Sequence, residues 1–162
     1  MLDIRLLGVC GLYCGSCYHY RASFPEGKHL IEEAARRGAS EGFICRGCRS
    51  DKLYIHPGCA ECNFRACAEA KKVVHCALFR EFPCPQLKAF QSDGRPHHSH
   101  IFKNLEELLT VGLEQWLSAQ QRRWKCDCGA SFSWYEVKRH NCGERVESYG
   151  PDPQTSKELP SG

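Results

Sequence analysis

Three cysteine pairs separated by two residues, Cys14-Gly-Ser-Cys17, Cys45-Arg-Gly-Cys48 and Cys59-Ala-Glu-Cys62, are the residues of this sequence best suited to chemistry. Two thiolates at that spacing grip one metal ion from a single tight turn, and a second pair closes the tetrahedron from elsewhere in the chain. In the first two pairs a glycine stands in the turn, where the backbone must bend toward sulfur. Cys67, Cys76 and Cys84 follow at wider intervals, and Cys10 comes before them all. One allocation places Cys14, Cys17, Cys45 and Cys48 around one ion and Cys59, Cys62, Cys67 and either Cys76 or Cys84 around another. Spacing does not say which pair meets which, and it leaves over Cys10 with whichever of Cys76 and Cys84 is unused.

A second set lies near the carboxyl end. Cys126-Asp-Cys128 and His140-Asn-Cys142 furnish three thiolates and one imidazole, joined by a loop of the size of a zinc-ribbon-like knuckle. If His140 is instead an exposed histidine on a basic surface, a distant cysteine or a neighbouring chain completes the shell. Two to three zinc ions are therefore the expected cofactors. The alternative is an iron-sulfur protein, because Cys10-x-x-x-Cys14-x-x-Cys17 has the spacing by which radical S-adenosylmethionine enzymes hold three irons of a [4Fe-4S] cluster. Such an enzyme needs a partial barrel of repeating strand-helix units, which this chain lacks, so a cluster with a plain redox role is the form of that alternative retained. The Cys84-Pro85 step is like that of bacterial ferredoxins, but the intervals at Cys59, Cys62 and Cys67 are not.

No catalytic residue is assigned. Closed four-ligand sites leave no position for water or substrate, and a thiolate held in one is a poor nucleophile. His29, His56 and His75 have no local partner that makes a convincing catalytic dyad, each candidate cysteine being better read as a ligand, and His97, His98 and His100 fall in a polar stretch read as a solvated loop. The absence of helix-strand alternation and of a glycine-rich phosphate loop argues against a nucleotide-binding sheet.

Cysteine supplies 13 of 162 residues, about 8%, a density typical of chains that packing alone does not hold together. The stretch MLDIRLLGVCG breaks its apolar residues with Asp3 and Arg5, so no signal peptide is read there, and no later run approaches a membrane span. A cytoplasmic location is expected, where thiols stay reduced and dense cysteine means metal rather than disulfides. The formal charge of +3 assumes neutral thiols. Two four-thiolate zinc sites and one of three thiolates with an imidazole would bring it to about −2. Arg46, Arg49, Lys52, Arg65, Lys71 and Lys72 stand among the cysteines and compensate the thiolates locally.

The elements that must position these ligands are short. Residues 28–37 (KHLIEEAARR) predict a helix with Leu30, Ile31 and Ala34 on one face and Gly38 at its end. Residues 64–74 predict another, and Pro85 suits the first turn of a third reaching about residue 90. After the polar break at 91–100, Ile101, Leu105, Leu108, Leu109, Leu113, Trp116 and Leu117 recur at helical intervals, predicting one long connecting helix. Gly112 lies on that stripe and is read as a close approach to the cysteine-rich body, the helix as a strut between two metal-bound ends. Phe132, Trp134 and Tyr135 have β character and are expected to form a small core for the last module. The expected fold is thus a small metal-stapled protein, mainly α plus irregular. It comprises a cysteine-rich metal-binding domain at 1–95, a linker and amphipathic helix at 96–123, a zinc-ribbon-like module at 124–147 and a disordered tail at 148–162.

The strings CGLYCGSCYHY (10–20), CRGC (45–48), CAECNFRAC (59–67) and HCALFREFPC (75–84) together resemble the bacterial and archaeal cysteine-rich family called domain of unknown function 3795. The resemblance spans most of residues 8–90, and the helix through LEQWLSAQQRRWKCDCG is similar to an extension many members carry before a carboxy-terminal metal knuckle. It implies zinc binding and supplies no reaction. Members often have a cysteine where this chain has Phe79, so the resemblance implies that the site using Cys76 and Cys84 is completed differently or weakened.

The function expected from all this is a zinc-binding protein of unknown biochemical role, its structural sites supporting a module that binds another protein. Weak nucleic-acid binding by the last module is the further alternative. Residues 119–146 carry six Lys or Arg against three acids, beside Trp124 and Trp134.

Overall fold

Short helices and turns account for the chain over residues 2–151, the part described by this computed structural model. In order they are α1 (Tyr18–Ala22), α2 (Ile31–Arg36), α3 (Pro57–Ala60), α4 (Asn63–Ala70), α5 (Pro85–Gln91), α6 (Ile101–Val111) and α7 (Leu113–Arg123). Among the described residues there is no strand, only three isolated antiparallel bridges. Local chemistry sets the ends. Pro57 and Pro85 open α3 and α5, where a missing N–H costs nothing. The helix expected over 28–37 is a 3-10 turn at Pro25–Leu30 running into α2, and Ile31 on it is exposed rather than buried. The helix expected over 64–74 stops at Ala70, with Lys72 turning the chain at φ 55.

The long connecting helix is two helices. Gly112 breaks it at φ 81 and ψ 166, a conformation that L-residues avoid. A Cβ built there meets nothing within 4 Å, so this glycine serves the backbone turn and not a close approach. The close approach is at Gly11, where a Cβ would lie 2.7 Å from Leu105 Cγ and 3.0 Å from the Ile101 carbonyl oxygen. Asn104 Nδ2 donates to the Gly11 carbonyl at 2.9 Å and fixes the contact. The turn carrying Cys10 is thereby seated on α6.

One core joins the first part of the chain to α5, α6, α7 and the turns after α7, while Leu30, Ala34 and Ile55 are buried outside it. Leu7, Tyr13 and Tyr18 from the cysteine-rich part pack with Leu105, Trp116 and Trp124 and with Phe132, Trp134 and Tyr135. The last three do not form a small core of their own. Trp134 meets the Tyr18 ring edge-on at 5.9 Å, and Tyr135 stacks on it at 6.1 Å. With most of its apolar area spent on this shared core, the region after α7 forms turns instead of a β unit.

The stretch read as a solvated loop is also internal. His97 and His98 are 5% and 2% exposed. The His97 ring lies flat on Trp134 at 4.4 Å and its Nδ1 pairs with the Tyr135 hydroxyl, while His98 Nδ1 meets Asp93 Oδ2 at 2.8 Å. Burial, with help from His98 and Arg95, pushes the His97 pKa down to about 2. The expected tail begins too early as well. Tyr149 stacks on His100 at 4.5 Å and meets Trp124 at 5.0 Å, and its N–H donates to the Trp134 carbonyl. The rest of that expected tail, 152–162, lies outside the described residues.

Candidate metal centres

Three turns carry cysteine sulfur in closely similar ways. In the first, Gly8 N donates to Leu12 O at 2.8 Å and Gly11 N to Gly8 O at 2.9 Å. In the second, Cys126 N donates to Ala130 O at 2.9 Å and Gly129 N to Cys126 O at 2.8 Å, the same offsets along the chain. The third is one residue longer, with Arg139 N donating to Glu144 O and Gly143 N to Arg139 O. The bridges Leu7–Tyr13, Lys125–Ser131 and Lys138–Arg145 flank them, and each closes on a glycine of positive φ, Gly11, Gly129 or Gly143. Cys10, Cys128 and Cys142 each stand immediately before that glycine. Spacing alone left Cys10 unassigned; the signal that finds it is the Cys-Gly step.

The second and third turns bring Cys126, Cys128 and Cys142 together, with all three sulfurs within 4.8 Å of one another and Cys126 Sγ 3.7 Å from Cys142 Sγ. Two thiolates bound tetrahedrally to one zinc at about 2.3 Å are about 3.8 Å apart, so this pair is already at coordination distance. The Cys128 thiol is held below its ordinary pKa first by the Ala130 N–H, then by the Cys142 and Cys126 thiols and by the Arg139 side chain. Arg139 is 1% exposed, donates to the Ser131 carbonyl and lies 3.6 Å from Glu136.

His140, the expected fourth ligand, is set elsewhere. Its ring lies parallel to that of His29 at 4.4 Å, and His29 Nε2 meets Glu136 Oε1 at 2.8 Å. Among the described residues no imidazole nitrogen or carboxylate oxygen joins the three sulfurs within their 4.8 Å limit.

The ten amino-terminal thiols make two neighbourhoods that meet at Cys48. Cys17 is close enough to Cys45 and Cys59 for the charges to bear on one another, whereas Cys10 feels Cys48, Cys62 and Cys76. Cys76 in turn feels Cys84, Cys67 and Cys62. The Cys48 thiol is held below its ordinary pKa first by the neighbouring Cys14 thiol and then by the Val9 backbone and the Arg65 and Arg49 guanidinium groups. Burial pushes the Cys10 and Cys45 thiols up, yet each sulfur accepts backbone N–H bonds that favour a thiolate, Cys10 from Leu12 and Cys45 from Gly47 and His56. None of these ten forms a trio as close as the carboxy-terminal three.

Cys67, Cys76 and Cys84 line an apolar cavity of about 500 Å³ together with Phe64, Phe79 and Phe82. Lys71 Nζ sits 3.4 Å over the Phe79 ring, the position where the resemblance implied a further cysteine. His56 is tied by Nε2 to the Arg37 carbonyl, and His19, stacked on it at 4.1 Å, is pushed down to about 3 by burial and then by His56 and Arg37. His29 and His56 are thus held by Glu136 and by the Arg37 carbonyl.

These features define a small, mostly helical, cysteine-rich protein with a candidate three-thiolate metal site. A family model described as a protein of unknown function, DUF3795, matches residues 6–89, just over half of the chain, and the protein belongs to that family. The three-thiolate site lies beyond the matched residues. No curated protein and no solved structure matches the chain. No helix of the described residues is long and apolar enough to cross a membrane.

Proposed function

We propose that this chain is a metal-stapled interaction module: zinc held by Cys126, Cys128 and Cys142 as a small knuckle, with one or two further ions among the ten amino-terminal thiols. The observation that carries this is the 3.7 Å separation of Cys126 and Cys142 within a three-sulfur group, which suits one shared ion. Zinc fits three thiolates better than hard cations do, and the turns leave the sulfurs at the surface, where an ion would join two otherwise independent loops. Binding to another protein is the preferred role, and a reducing, cytoplasmic setting suits thirteen free thiols.

Metal analysis of protein purified without oxygen and without added metal tests this. Colourless protein with about two to three zinc per chain is the expected result, and metal-free protein of unchanged fold would refute it.

An iron-sulfur cluster is the second reading, and the wider placing of the ten amino-terminal thiols favours it there. In a cubane each thiolate binds its own iron and points outward, so the sulfurs spread further than around one ion. Brown protein with iron and sulfide would replace the zinc reading for that part. Nucleic-acid binding through stacked bases draws no support, because Trp124 and Trp134 are 1% and 4% exposed.

A further inference from the structure

We infer that the ion held by Cys126, Cys128 and Cys142 takes its fourth ligand from outside the described chain, and that this ligand is the thiolate of a small zwitterionic thiol such as free cysteine. The inference rests on the metal reading of these three sulfurs.

Three sulfurs within 4.8 Å of one another fix three corners of a tetrahedron, and no carboxylate or imidazole of the described residues stands at the fourth. His140 is on the right turn, but its ring is stacked on His29, which Glu136 anchors. The sulfurs instead line a cavity of about 330 Å³. The depression is open to solvent, so a ligand from solution can reach the sulfurs. Its wall holds three cations, Arg123, Lys125 and Arg145, and three acids, Asp127, Glu144 and Glu147. A wall carrying both signs suits a ligand with one carboxylate and one ammonium group. An ion already bound by three thiolates is soft enough to prefer sulfur as its fourth donor.

Cadmium NMR reports the donor set of each bound ion separately, which suits a protein with several thiol sites. The full chain is loaded with cadmium-113 in a phosphine reductant free of thiols. The carboxy-terminal resonance is identified as the one lost in both Cys128→Ser and Cys142→Ser. Adding L-cysteine should move that resonance toward the all-sulfur end of the range and leave the others in place. L-serine, which has the same charges and no thiol, should leave it unmoved. An unmoved resonance with L-cysteine overturns the inference. So does a resonance that shifts on His140→Ala before any thiol is added, because the protein then completes its own shell. If neither serine variant loses a resonance, the metal reading itself fails.

Discussion

Cys10 and Cys128 occupy the same position in two turns with the same hydrogen-bond offsets, each immediately before a glycine of positive φ. The likeness extends to the flanking bridges, Leu7–Tyr13 and Lys125–Ser131. It gives Cys10 the turn geometry of Cys128, and it supplies a matched pair of glycines for experiment.

Gly11→Ala and Gly129→Ala should differ in cost although both glycines have positive φ, 91 and 84. At Gly129 a Cβ meets nothing within 4 Å, and the backbone conformation alone should cost about 1–2 kcal/mol. At Gly11 the Cβ also strikes Leu105 and the Ile101 carbonyl, so overpacking should raise the total to about 2–4 kcal/mol. Urea unfolding of both variants measures this, and equal costs would contradict the seating of the first turn on α6.

Removing the metal should unfold the protein. A strong chelator is expected to abolish much of the helical circular dichroism and to red-shift the fluorescence of the buried Trp116, Trp124 and Trp134. Cys142→Ser alone should lower the zinc content by about one ion per chain. Full helicity in the stripped protein would count against metal as a staple.

Acid should weaken the fold partly through His97. Its folded pKa of about 2 lies below the ordinary value of 6.5, so its contribution is fully present above pH 6.5 and is lost as pH falls from there toward 2. The slope from this one group is at most about 1.4 kcal/mol per pH unit. Comparing urea midpoints of wild type and His97→Gln at pH 7, 5 and 4 isolates it from acid release of metal. Identical pH dependence in the two proteins would mean that His97 is not held neutral by burial.

Trp134→Ala should destabilise the described chain as a whole, by about 3–5 kcal/mol. Trp134 packs on Tyr18 and His97, so the amino-terminal part should melt with the rest in one transition. Two separate transitions, with only the carboxy-terminal turns affected, would show that the shared core does not couple them.

Much of the local structure was legible in the residues. Pro85 announced α5, the repeat from Ile101 to Leu117 announced helix, and Cys126-Asp-Cys128 with His140-Asn-Cys142 announced a four-ligand set of which the three sulfurs come together. Legibility failed where the deciding partner lies far along the chain. His97 and His98 look like a polar loop until Trp134 and Tyr135 are placed beside them. Gly112 and Gly11 are the same residue type, and only tertiary packing tells a hinge from a close approach. Phe132, Trp134 and Tyr135 were recognised as core residues, but their partner Tyr18 was out of reach of any local pattern.

The family match stops at residue 89, yet Tyr13, Tyr18 and Leu7 find their apolar partners in Leu105, Trp116, Trp134 and Tyr135. A fragment cut near residue 95 would therefore present that face to water and should self-associate, whatever metal it carried. Tyr13 and Tyr18 lie inside the matched residues and share their core with Trp116, Trp134 and Tyr135 outside them, so the boundary of the match at residue 89 is not a folding boundary.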